Sequence, residues 1–325
     1  MDTPQVQAVA VESVSPDEQA VIAEFIAFLK DASAKRHPAG TIQRFNQGRH
    51  SGCVQAEFTV PDDLPPDLRV GLFSVPRTYP AWIRFANAAS QSDQKKDVRG
   101  MSISLSDVSG KNLTPGVTKQ DFVLNSHPVM VAANTRDFLD LLRALEGSAV
   151  RRILYIVSHV PTVRRGLASR ANPTSHLDIW YWSTTPYLFG EGRAVKYAVR
   201  PCSPTRSTLP AQLTKTYLRD AMRSHLDKAE ACFDFLVQVQ KDSRTTPIED
   251  ATVEWKEEDS AYRQVARIRI PRQNIEEPGR MNLCEETAFN PWHSLSEHRP
   301  LGSLNRARRE IYRAMAEFRR QRQTR

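Results

Sequence analysis

Arg308 and Tyr312 stand four residues apart in a basic C-terminal segment. In a helix, side chains at that spacing meet on one face. A guanidinium beside a phenol favours the phenolate and lowers its pKa. A phenolate is a hard anionic oxygen, suited to ferric iron. The pair is common in basic helices, so it acquires meaning only from partners elsewhere. Other chemistry is missing from the chain. There is no Gly-x-Gly-x-x-Gly, no P-loop and no Gly-x-Ser-x-Gly. His293 and His298 are five apart, too loose for a helical metal pair. The four cysteines, Cys53, Cys202, Cys232 and Cys284, are widely spaced with no Cys-x-x-Cys. That spacing argues against a zinc site and against a disulfide framework, and so for a reducing compartment.

The chain has 325 residues, a net charge of +8, 40% hydrophobic and 25% charged residues. It is long enough to bury a core without staples. The excess positive charge sits largely in the arginine-rich segment from Arg306 to Arg325. Without aromatic interleaving or a nucleic-acid fold signature, this segment reads as a solvated helix face, and no nucleic-acid partner is expected. No uncharged apolar run approaches the ~18 residues of a membrane span. The first residues lack the basic and apolar regions of a signal peptide. The expectation is a soluble, cytoplasmic protein.

The elements that must carry Arg308 and Tyr312 follow from periodicity. Residues 1–14 read as disordered. A helix then begins with Ser15 as N-cap, Pro16 at the first position and Glu18 completing a capping box; Ile22, Phe25, Ile26 and Leu29 form its stripe. Strands are expected at 53–60, 79–87, 100–107 and 121–125, then at 194–201, 233–240 and 262–270. FGEGR (189–193) reads as a hairpin turn. Helices are expected at about 135–146, capped by Thr135 and stopped by Gly147, through the basic stretch 149–170, at about 211–230, and from about 304. The order is not βαβ throughout. It predicts an α+β fold, a mostly antiparallel barrel with added helices. Residues 1–40 form an N-terminal arm and 41–325 a single domain.

Several separated segments then resemble the catalase superfamily in order and spacing. AFNPWHSLSEHRPLGSLNRARREIY (288–312) resembles its proximal segment, and DFVLNSHPVMVAANTRDF (121–138) its distal asparagine segment. WIRFAN (82–87), KKDVRGMSISL (95–105) and PYLFGEGRAVKYAVRP (186–201) resemble its strands. The likeness covers most of residues 40–320 and is nearest to short bacterial catalase-related proteins, the catalase-like peroxidase and allene oxide synthase group. It implies a b-type heme with Tyr312 as axial iron ligand and Arg308 stabilising the phenolate. It also implies Arg44 and Arg84 on the heme propionates, Phe138 stacking near the heme, and Asn125 on the distal side. Bidentate arginine suits carboxylates well.

One half of the pattern is altered. The family's Arg-x-x-His falls on Arg44-Phe45-Asn46-Gln47, with Phe58 holding the register. Gln47 therefore stands where the distal histidine belongs, and Ala86 where a serine supports it. An amide does not titrate near neutral pH. Losing a general acid–base group typically costs ~10²–10⁴ in rate. The expectation is an oxidoreductase using hydrogen peroxide or an organic hydroperoxide on a small organic or lipid substrate, with weak peroxide dismutation. His50 is a substitute if a loop turns it back. Rearrangement of a fatty-acid hydroperoxide and a non-catalytic heme sensor are the alternatives; a homo-oligomer is left open.

Overall fold

Alternating apolar residues and turn formers place the strands close to where the sequence predicts them. The computed structural model describes residues 10–39 and 42–323. The strands are β1 (His50–Val60), β2 (Arg77–Asn87), β3 (Arg99–Leu105), β4 (Gln120–Asn125), β5 (Tyr181–Trp182), β6 (Tyr187–Leu188), β7 (Ala194–Pro201), β8 (Ala231–Val239) and β9 (Tyr262–Ile270). The helices are α1 (Glu18–Arg36), α2 (Thr135–Glu146), α3 (Ala149–Ser158), α4 (Val160–Ala168), α5 (Tyr217–Leu226), α6 (Arg280–Glu286) and α7 (Ser303–Gln323). The sheet runs β5-β4-β3-β2-β1-β9-β8-β7, and a β5–β7 pairing closes it into an eight-stranded antiparallel barrel. Closure joins the two ends of the eight-stranded run, which removes most of its free edge. β6 joins β7 through the 189–193 turn, where Gly190 and Gly192 take φ of 75° and 68°. That left-handed backbone suits glycine.

The barrel interior is aromatic. Phe122 and Phe235 have centroids 4.7 Å apart and Phe58 and Phe235 5.0 Å, in tilted or edge-on contact. A second layer of α1, α2 and α7 packs through Val21, Phe25, Leu29, Leu139, Ile311 and Met315. Phe45, Phe138 and Tyr312 pack against this helical cluster.

Several expectations are corrected. Residues 10–14 are in place: the Ala10 amide donates to Gln240 and the Ser13 amide to Glu249. Residues 1–9 lie outside the described residues. Glu18 closes no capping box; it opens α1 behind Asp17, and its carboxylate takes Arg306 at 2.6 Å. Arg306 also meets Glu12 and Glu249, at 2.6 and 2.9 Å. Burial alone would depress its pKa, but the three carboxylates hold it raised. So the arginine-rich helix is not wholly a solvated face. Asn134, not Thr135, caps α2 by accepting from the Asp137 amide at 3.0 Å; Thr135 pairs with Ser303. Helix α5 is shorter than the 211–230 expected, and 149–170 forms two helices, with Pro161 in the first turn of the second.

The cysteines are the largest correction. Cys53 bonds Cys284, with Cα atoms 5.8 Å apart, and Cys202 bonds Cys232, at 5.2 Å. Cys202 follows β7 and Cys232 lies in β8, so the antiparallel register brings them together; the Cys202 amide donates to the Cys232 carbonyl at 3.0 Å. Cys53 and Cys284 are 231 residues apart and meet where α6 crosses β1. Wide spacing hid both pairings. The argument for a reducing compartment falls with them.

Candidate functional site

Four strands set one row of residues side by side. His50 pairs with Ala86, Ala86 with Gly100, and Gly100 with Asn125. Their neighbours Phe85, Met101 and Leu124 point into the barrel core, so alternation turns this row to the outer face. Two small residues, Ala86 and Gly100, leave a shallow bay in its middle. The Gln47 side chain fills it: a Cβ on Gly100 would lie 2.3 Å from Gln47 Nε2. From there Nε2 donates to Asn125 Oδ1 at 3.2 Å. The Gln47 backbone is pinned on both sides, its amide donating to the Ala88 carbonyl at 2.8 Å and its carbonyl accepting from Arg84 at 2.7 Å. It holds φ of 55°, a left-handed conformation that costs a non-glycine residue about 1–2 kcal/mol. Sequence reasoning put Gln47 and Asn125 at one locus, and the structure brings them into contact.

Beside this row lies a dense group of charges. Arg44 donates to the Glu285 carboxylate at 2.7 Å and to the Cys284, Glu285 and Thr287 carbonyls at 3.3, 2.9 and 2.9 Å. It thereby caps the C-terminal end of α6. Arg84, only 2% exposed, lies 3.5 Å from the same carboxylate, and its Nε finds no hydrogen-bond partner among the described residues. Burial and the Arg44 charge push its pKa down to about 9, with Glu285 opposing; it stays cationic at neutral pH. His50 Nε2 is 3.8 Å from Glu285, and its buried Nδ1 is also unpaired among the described residues. Burial, then Arg84 and Arg44, lower His50 to about 4, so its imidazole is neutral at pH 7. No hydrogen bond joins His50 to Gln47 or Asn125 among the described contacts.

Tyr312 occupies the helical side, packed with Phe45 and Phe138, close enough to Arg44 to act on it electrostatically. Phe138 meets Phe25 edge-on at 5.8 Å, as a core residue would. Arg308 donates to Thr185 Oγ1 at 3.1 Å and Asn305 Oδ1 at 3.0 Å. Both Arg308 and Tyr312 act on the phenol of buried Tyr187, which burial raises to about 12. Gln47, Asn125, His50, Arg84 and Arg44 thus lie together beside the outer face of β1–β4, and Tyr312 acts on this group through Arg44.

No protein-family description matches this chain, and no curated protein does. Solved structures do. A fungal catalase matches with a TM-score of 0.69 at 14% identity over 98% of this chain and 66% of its own. A bacterial catalase matches at 0.67 and 16%, over 98% and 64%. Catalase A from Saccharomyces cerevisiae matches at 0.69 and 14%, over 98% and 68%. The fold is that of the catalases. The chain spans about two thirds of the length of these proteins.

Within this catalase fold, two contributors escaped sequence reasoning. Arg319 lies seven residues after Tyr312, two turns along the same helix face. It is partly buried, and burial followed by the Arg44 charge lowers its pKa. The i, i+7 spacing was a usable signal. Glu285 had none: it belongs to a short helix inside a Pro-bearing segment, held to β1 by the Cys53–Cys284 bond and at its C-terminal end by Arg44. Three arginines around one carboxylate leave an excess of partly or fully buried positive charge. With an unpaired Arg84 Nε, this donor set suits a ligand bearing carboxylates.

Proposed function

We propose that this chain is a heme-dependent oxidoreductase of the catalase-related group, acting on hydrogen peroxide or an organic hydroperoxide with weak peroxide dismutation. Tyr312 would ligate the iron of heme b and Arg308 would orient that end of α7. Arg44, Arg84 and Arg319 would meet the propionates, with Phe138 near the ring. When bound, heme supplies the redox-active iron that reacts with peroxide. The observation that carries the reading is Gln47, held over Gly100 and bonded to Asn125. That amide can orient a peroxide by hydrogen bonding. It cannot take up and return a proton, because amides do not titrate at neutral pH.

The neutral imidazole of His50 favours a second reading. Three arginines oppose its protonation, so it is a poor proton carrier. Rearrangement of a fatty-acid hydroperoxide asks less of proton transfer than dismutation does.

The test is an absorption spectrum after heme reconstitution, followed by peroxide assays. A Soret band lost or shifted in Tyr312→Phe supports the iron assignment; an unchanged spectrum at full heme content overturns it. Gln47→His should raise catalase turnover by ~10²-fold or more. No gain would remove Gln47 from the proton-transfer position.

A further inference from the structure

Residues 147–177 contain five arginines and no Asp or Glu. They fold into α3 and α4, and neither helix has a buried residue. On α3, Val150, Ile153, Leu154 and Val157 follow i, i+3, i+4, i+7 spacing, which gathers them on one stripe. In a globular protein such a stripe faces the core. Here it faces out. Those four, with Val160 and Leu167 of α4, are each 60–72% exposed. Scattered exposed leucines are ordinary, but a contiguous apolar stripe marks an interaction surface. Arg151 lies beside it on α3, Arg152 turns to the far side and donates to the Leu145 carbonyl at 3.0 Å, and Arg164 and Arg170 lie exposed on and just beyond α4. The acids nearest Tyr155, Asp137 and Asp140, come from α2 on the inner side of the helix.

We propose that the α3–α4 face docks this chain on an anionic lipid bilayer, with both helices lying in the interface. An apolar stripe edged by arginine is the pattern of interfacial helices. At 10 and 9 residues the helices rise only about 15 Å, far short of a bilayer core, so they lie on it. Charge selects lipid over a second copy of the chain. A two-fold dimer presents the same patch from both sides, and here arginines would confront arginines. The docked face is also linked to the candidate site. Arg165 of α4 donates to the Val131 carbonyl at 3.4 Å, on the loop that follows Asn125. The inference stands whether or not the chain binds heme.

Sedimentation of the full chain with vesicles tests it. One set is phosphatidylcholine alone, the other contains about a third phosphatidylglycerol. The chain should pellet with the anionic set, weakening as salt rises. Arg151→Gln and Arg164→Gln should each weaken binding roughly fivefold. Leu154→Glu with Val157→Glu should abolish it while leaving the thermal unfolding midpoint unchanged, since both side chains are exposed. Equal pelleting with both vesicle sets, or none with either, overturns the proposal. So does a dimer on gel filtration that Leu154→Glu splits, or a large loss of stability in the double variant, since either means that protein covers the stripe.

Discussion

Gly100→Ala tests the architecture of the site without reference to any ligand. The new Cβ would lie 2.3 Å from Gln47 Nε2, 2.4 Å from its Cδ and 2.7 Å from its Oε1. One partner must move. The Gln47 backbone is held by Ala88 and Arg84, so the side chain gives way and leaves Asn125. The loss is one neutral hydrogen bond, about 0.5–1.5 kcal/mol, rather than the full cost of overpacking a core. In a Gln47→Ala background the clash and the bond are both absent. There Gly100→Ala should be neutral, or stabilising by about 0.4–1 kcal/mol because alanine restricts the unfolded chain. The double-mutant cycle should therefore show a coupling of about 1–2 kcal/mol. Urea unfolding of the four proteins by circular dichroism measures it. Additive effects, with no coupling, would show that Gln47 does not lie over Gly100 and would remove the basis for assigning it to the site.

Acid should destabilise the protein through buried histidines. His298 is fully buried, accepting from the Leu72 amide at 3.0 Å, and burial lowers it to about 4; His176 is lowered to about 3. Their unfolded values are near 6.5, so this stability is complete above pH 6.5 and is lost as pH falls towards 4, up to about 3 kcal/mol for His298 alone. Urea midpoints against pH should fall over that window, and a flat profile would contradict the neutral imidazoles. Glu285→Gln removes the carboxylate that Arg44 and Arg84 share. The unliganded protein should lose about 1–3 kcal/mol, while heme titrated by its Soret band should bind several-fold tighter, with a carboxylate competitor gone. Equal or weaker heme binding would dissociate the arginines from a propionate role. Cys53→Ala with Cys284→Ala should lower stability by about 2–4 kcal/mol and reproduce the gain in heme affinity, because α6 loses its tether. A variant as stable as the parent would show that packing alone seats α6.

Much of the barrel was legible from local periodicity. The 194–201 and 262–270 strands match residue for residue, and the helix carrying Tyr312 begins within a residue of its expected start. Strand alternation and helix stripes are local properties, written within a few residues of one another. What escaped was of two kinds. Two-residue strands β5 and β6 carry too little periodicity to be seen, and caps such as Asn134 depend on which neighbour wins a local competition. The rest was long range. Arg44 meets Glu285 across 241 residues, and Cys53 meets Cys284 across 231. No pattern near any of these residues names its partner. Closing such loops costs entropy that only the finished barrel, with β1–β4 in register and α6 laid across β1, repays. The residue types were determined by the sequence alone; that one amide lies over a glycine and three arginines gather around one carboxylate was decided by the tertiary structure.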